Sequence, residues 1–342
     1  MPPTIDAHQA SPSPTRINEA FTGFHQALDK VAVQAELARL PVFLRAEVFP
    51  QLLSLHLTRH KPGRRCLIEY SLLLKHPSRP PQHLTLMAKI RMKSHDHNAW
   101  AVINGLWQAG INQQASDAIM IPSPMGEIPH WHMLLQPKVP GLALEPLLAG
   151  PQGEHLAMRV AAAAHNIHRS GVPTQRHHTI TDELNILHKC LSKTAHTHPQ
   201  WAARIERVIE HCKRLGKRLP HTPNCGIHRD LYADQIIVDG DTLYLLDFDL
   251  YCLGNPALDI GNFIAHISEF SVRKLGNANA LSHVEHALTT EYLQLNPSCT
   301  AEAIDTYTTL SLARHIYIST LFTVRRPFTQ ALLELTEQRL AL

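Results

Sequence analysis

Paired cysteine spacing is missing from this sequence. Its six cysteines, Cys66, Cys190, Cys212, Cys225, Cys252 and Cys299, include no Cys-x-x-Cys pair, which excludes the redox and zinc motifs built on that spacing. No basic segment followed by an apolar run stands at the N-terminus, so no secretory signal is expected. The cysteines then read as idle thiols of a reducing cytoplasm. Nor does any apolar stretch approach the roughly 20 residues that span a bilayer; a soluble, cytoplasmic chain without a membrane partner is expected. Net charge is also scarce. The formal value is +3, and the scattered Lys and Arg residues give no reason to expect a nucleic-acid partner. A slight positive bias does suit a polyphosphate.

Histidine is abundant, with 25 copies. Pairs stand at His130/His132, His177/His178 and His196/His198, yet no His-Glu-x-x-His pattern accompanies them. They read as solvated or hydrogen-bonding side chains. At 342 residues, 44% hydrophobic and 18% charged, the chain has enough apolar material for two lobes with a sizeable core.

Periodicity divides the chain. Residues 1–16, rich in Pro and Ser, read as a disordered leader. Phe21, Phe24, Leu28, Val31, Val33, Leu37 and Leu40 suit one or two helices. Three strand-like runs follow, at Leu52–Leu57, Cys66–Leu74 and Leu84–Ile90, joined by a Lys61-Pro-Gly63 turn and a Pro-rich loop. A helix over His97–Gly110 and a strand over Met133–Val139 complete a first lobe at 17–140. After Pro140-Gly141 helical spacing dominates, interrupted by two short strands around the Asp239-Gly240 turn. A sheet-rich part before a helix-rich part predicts an α+β, two-lobed fold with the second lobe at 141–342.

The chemistry concentrates between Cys225 and Phe263. His228-Arg229-Asp230 is followed at plus five by the amide of Gln235, and Asp247-Phe248-Asp249 comes 17 residues after Asp230, beyond a hairpin. That order matches the catalytic and metal-binding loops of kinases. Phosphoryl transfer needs an acceptor hydroxyl in line with the γ-phosphate, a carboxylate to orient it, and Mg²⁺ to offset phosphate charge. Asp230 fits the carboxylate role. Gln235 and Asp247 offer the hard oxygen ligands that Mg²⁺ prefers.

With Gly254-Asn-Pro-Ala-Leu-Asp259-Ile added, the stretch resembles the aminoglycoside phosphotransferase and choline kinase group of the protein-kinase-like fold. The resemblance implies a bilobal fold, an ATP- and Mg²⁺-dependent phosphotransferase acting on a small-molecule hydroxyl, and a structural role for Asp259 beneath the catalytic loop. Asp249 either approaches a metal or solvates its turn. Only 12 residues separate Asp247 from Asp259, too few for a long activation segment, and no Ala-Pro-Glu follows, so a protein kinase fits less well. Upstream, the resemblance assigns Lys89 to the nucleotide phosphates and places the hinge that meets adenine at Val139-Pro-Gly141.

Three departures stand out. Gln235 replaces the usual Asn. No Gly-x-Gly-x-x-Gly loop exists, and the Lys61-Pro-Gly63-Arg64-Arg65 turn takes its place, Arg64 either approaching phosphate or facing water. The helix after Lys89 carries no Glu; Asp96 and the more distant Glu127 are the nearest acids. These departures leave a second reading open, a non-catalytic nucleotide-binding regulatory module. Acids in the C-terminal helices, among them Glu269, Glu285 and Glu337, either serve a cationic acceptor or solvate helix faces. The acceptor and the oligomeric state are left open.

Overall fold

The computed structural model describes residues 22–342; the expected leader and the start of the first expected helix lie outside them. In chain order the first elements are α1 (Thr22–Gln26), α2 (Lys30–Ala38), α3 (Pro41–Arg45), β1 (Phe49–Lys61), β2 (Arg65–His76), β3 (Arg79–Arg91), α4 (His97–Gln108), β4 (Ile119–Met120), β5 (Gly126–Ile128) and β6 (Met133–Pro137). Next come β7 (Leu142–Ala143), α5 (Leu144–Leu147), α6 (Gly153–Arg169), β8 (His177–His178), α7 (Ile180–Thr197), α8 (Ala202–Lys217) and β9 (Cys225–Ile227). The chain ends with β10 (Ile236–Asp239), β11 (Thr242–Leu245), β12 (Cys252–Gly254), α9 (Ala257–Phe270), α10 (Ser282–Leu295), α11 (Ala301–Leu321) and α12 (Thr329–Arg339).

Two units emerge. The sheet unit holds residues up to His97 together with Pro124–Lys138. Its antiparallel sheet runs β1-β2-β3-β6-β5. Strict alternation in β2 buries Cys66, Ile68, Tyr70 and Leu72 on one face, and the register sets Leu86, Ala88 and Ile90 of β3 beside them. That face packs with Phe24, Val33, Leu37 and Phe43 of the three leading helices and with Trp131. Each such buried side chain contributes about 1.5–3 kcal/mol. The polar tips of the core's two largest aromatic side chains are satisfied: Tyr70 Oη donates to the Ala27 carbonyl at 2.7 Å and Trp131 Nε1 to Gln26 Oε1 at 2.8 Å. Strand pairing places Leu67, Lys89, Leu134 and Glu127 in one row across β2-β3-β6-β5, on the face turned away from that core.

The helical unit holds Asn98–Ser123 and Val139–Leu342. Segment 98–123, which a single boundary near Pro140-Gly141 assigns to the first lobe, groups here instead. The reason is the buried face of α4, Ala99, Val102, Ile103 and Leu106, and Gly105, against which Val172 packs so closely that no Cβ fits. Two small sheets, β4-β11-β10-β7 and β8-β12-β9, carry the loops between helices. Strand β7 reaches the hairpin strand β10, Ala143 opposite Ile237 and Leu142 opposite Val238. Gly141, at φ +107°, makes that approach possible, because a Cβ there would run into the Val238 carbonyl. Helix α9 is buried along nearly its whole length. At the start of α7, Thr179 and Asp182 form a reciprocal capping box, which satisfies two otherwise orphaned amides.

Candidate active site

Strand β9 ends at Ile227, and the backbone then turns sharply through His228-Arg229-Asp230. Arg229 lies at φ +70°, a left-handed conformation that costs a non-glycine residue about 1–3 kcal/mol. Asp259, fully buried in the first turn of α9, holds it there. Its carboxylate accepts the His228 amide at 2.8 Å and the Arg229 amide at 2.6 Å. The His228 ring reaches the other way, Nε2 donating to the Leu246 carbonyl at 2.8 Å while the ring lies against Phe248. Leu246 precedes Asp247, itself left-handed at φ +63°. The Leu246 amide in turn donates to the Gln235 carbonyl at 2.9 Å. The catalytic loop, the residue at plus five and the Asp247 turn are therefore laced together by their own backbones.

Tyr232 reports the resulting electrostatics. Burial, and then the carboxylates of Asp230, Asp234 and Asp247, push its phenol up to about 12. Those carboxylates thus lie near one hydroxyl. Gln235 donates its side-chain nitrogen to that hydroxyl at 3.3 Å. Of the residues singled out by sequence, Asp230, Gln235 and Asp247 come together in the helical unit.

Two buried networks hold the loop from behind. His168 of α6 bonds Asp259 through Nε2 at 2.9 Å and the Tyr292 hydroxyl through Nδ1 at 2.7 Å, and Asn296 donates to that hydroxyl at 2.9 Å. In the second network the Leu231 carbonyl accepts from Asn262 at 3.0 Å, and Asn262 accepts from Arg314 at 2.8 Å. Arg314 also donates to Glu183 at 3.0 Å, whose other oxygen meets His178 Nε2 at 2.8 Å. Burial alone raises the Glu183 carboxyl, but Arg314 and His178 outweigh it and hold it below the usual carboxylate range.

Beside the loop, Glu145, Leu148, Tyr232, Ala233, His266, Ile267 and Phe270 line a small pocket. Tyr232 and His266 stack with centroids 4.4 Å apart, and His315 meets His266 edge-on. Burial and nearby arginines pull His315 down to about 3, so it stays neutral. Burial, helped by Asp234, raises the Glu145 carboxyl against the pull of Arg273. Most acids of the C-terminal helices are engaged elsewhere: Glu269 by Arg273, Glu285 by Ser268, Glu337 by Arg204 and Asp305 by Arg339. Glu145, Tyr232 and His266 were not foreseen from sequence, because no periodicity or motif singles them out.

Lys89 and Arg64 stand in the sheet unit. Lys89 is half-buried in β3, and Arg64 is exposed in the turn between β1 and β2, where its amide donates to the Lys61 carbonyl at 3.0 Å. The two acids named near Lys89 meet side chains of the same unit. Asp96 pairs with Arg91, and Glu127 meets His95 Nε2 at 2.6 Å. Val139 opens the second segment of the helical unit, just before the Gly141 turn.

A five-stranded antiparallel sheet, a largely helical second unit and an Asp-bearing loop facing an Asp-Phe-Asp turn define a kinase-like phosphotransferase. The sequence profile of the phosphotransferase enzyme family matches residues 69–287, and the chain belongs to that family. No curated protein matches it sequence to sequence. Among solved structures it is similar to a choline kinase from Cryptosporidium parvum Iowa II, with a TM-score of 0.58, 12% identity and coverage of 91% of this chain and 95% of that one. Spectinomycin phosphotransferase, solved with ADP and its antibiotic, gives a TM-score of 0.56 at 14% identity, covering 90% and 93%. A glucosamine kinase gives 0.53 at 13%, covering 90% and 99%. At such identities the likeness shows the fold. No helix among the described residues is long and apolar enough to cross a membrane.

Proposed function

We propose that the protein transfers the γ-phosphate of ATP to a hydroxyl group of a small molecule. Asp230 orients the acceptor and receives its proton. The acceptor oxygen bonds to the γ-phosphorus as the bond from phosphorus to the bridging oxygen breaks, and ADP leaves with that electron pair. The observation that carries this reading is the gathering of Asp230 and Asp247 around Tyr232 on loops locked by Asp259. Burial raises the Tyr232 phenol most and the nearby carboxylates add to it; carboxylate oxygens are the hard donors that Mg²⁺ prefers. Asp247 and Gln235 would hold the ion, Gln235 through the amide oxygen, since its nitrogen faces Tyr232. When bound, Mg²⁺ offsets the phosphate charge. In the sheet unit, Lys89 and Arg64 serve the nucleotide phosphates; in the helical unit, the Val139 backbone serves adenine.

The test is a coupled ADP-release assay over a panel of hydroxyl-bearing metabolites. Asp230→Asn should lower kcat by about 10²–10⁴, the usual range for a positioned general base, while nucleotide affinity stays within a few-fold of the parent. One observation favours a second reading, a nucleotide-binding module without turnover: the Gln235 amide, one methylene longer than the Asn usual at this place, turns its nitrogen to the Tyr232 hydroxyl. ATP binding with no acceptor-dependent ADP release, in parent and variant alike, would establish that reading instead.

A further inference from the structure

We propose that His95, His97 and Glu127 of the sheet unit form a binding site for a transition-metal cation, with Zn²⁺ as the first choice. The three residues each offer a ligand atom, and these atoms lie within 4.8 Å of one another. Sequence spacing alone does not reveal the set, because Glu127 follows the two histidines by about 30 residues and reaches them only through the pairing of β5 with β6.

The state of His95 points to a ligand. Its side chain is 7% exposed, and Nε2 stands 2.6 Å from a Glu127 oxygen. Nδ1 is buried and meets no hydrogen-bond partner. A neutral imidazole carries one N–H and one lone pair. The carboxylate takes the N–H, which leaves a buried lone pair with nothing to receive; such an orphan costs about 1–3 kcal/mol. A cation satisfies it without any further donor group on the protein. Metal-bound histidines characteristically give their second nitrogen to a carboxylate, and Glu127 occupies that position while adding the negative charge that a divalent ion needs.

His97 supplies the second imidazole. It is exposed at the first position of α4, its ring edge-on to His95 with centroids 4.5 Å apart. Zinc–nitrogen bonds of about 2.0–2.1 Å require the donors to draw together, and the exposed His97 side chain is the one able to move. The surrounding backbone is already fixed. Asp96, between the two histidines, is held by Arg91. The Arg91 amide donates to the His132 carbonyl at 3.1 Å, and the Met92 amide donates to the Arg64 carbonyl at 2.9 Å. Two imidazole donors, one of them backed by the Glu127 carboxylate, favour zinc, copper, nickel or cobalt over Mg²⁺, which takes oxygen donors. Water would fill the remaining coordination positions. This site is therefore chemically distinct from the oxygen-only cluster at Asp230 and Asp247.

The test uses tag-free, full-length protein stripped with chelator, titrated with Zn²⁺ by calorimetry and with Co²⁺ by visible absorption. One equivalent of Zn²⁺ should bind, and Co²⁺ should develop ligand-field bands. His97→Ala, which removes an exposed side chain and should spare the fold, is expected to weaken binding by at least about 100-fold, since even outer-shell partners are worth 10–100-fold. Glu127→Gln should weaken it by at least tenfold, while a His196→Ala/His198→Ala double variant should leave it unchanged. Unaltered affinity in the His97→Ala and Glu127→Gln proteins would overturn the proposal. So would zinc that follows the His196/His198 pair, or no stoichiometric binding at all.

Discussion

Asp259 shows how much one buried carboxylate can control. Its two oxygens accept two consecutive backbone amides and a histidine nitrogen, and the amide bonds hold Arg229 in its left-handed turn. Asp259→Asn keeps the size but replaces one acceptor oxygen with a donor, which faces an amide that also donates. Leaving a buried donor unmet beside a broken charge-assisted bond should cost about 2–4 kcal/mol. Urea unfolding measures that loss directly. Activity should fall further than the loss of folded protein explains, because the residue freed to relax lies next to Asp230. A variant with parental stability and parental kcat would refute the buttressing role.

Among elements, the second network ties α7, α9, α11 and β8 to the loop through His178, Glu183, Arg314 and Asn262. The depressed Glu183 carboxyl fixes the sign of its pH dependence. Its stabilising contribution is fully present above the unfolded glutamate value of about 4.3, and it disappears as pH falls through the lower folded value. Melting curves of the parent and Glu183→Gln should therefore stand apart at neutral pH and converge in acid; a gap independent of pH would contradict the ion-pair account. The same elements show what a sequence can disclose. Long runs with a clear period, such as β2, the second half of β3, α6 and α7, were readable because burial repeats every two or every three to four residues. Two-residue bridges such as β4, β7 and β8 have no period to read, and they exist only because neighbouring loops supply partners. Likewise, Asp230, Gln235 and Asp247 lay within one short stretch whose order carried the signal. His168, Glu145 and His266 reach the loop from separate helices, and only the fold brings them there.

For the whole molecule, the order of sheet-rich and helix-rich parts was visible in the change of period, while the return of 98–123 to the helical unit was not. That segment crosses because α4 buries its apolar face there, a choice made by tertiary packing that helix periodicity cannot specify. The functional account rests on Asp230 and Asp247 acting as a single centre within the helical unit. A double-mutant cycle on kcat/KM with Asp230→Asn, Asp247→Asn and the combined variant tests this most directly. Residues that work as one device give strongly non-additive losses. The account predicts a double variant no more than about tenfold worse than the more damaged single variant. Losses that simply multiply, or a single variant retaining parental turnover, would contradict it.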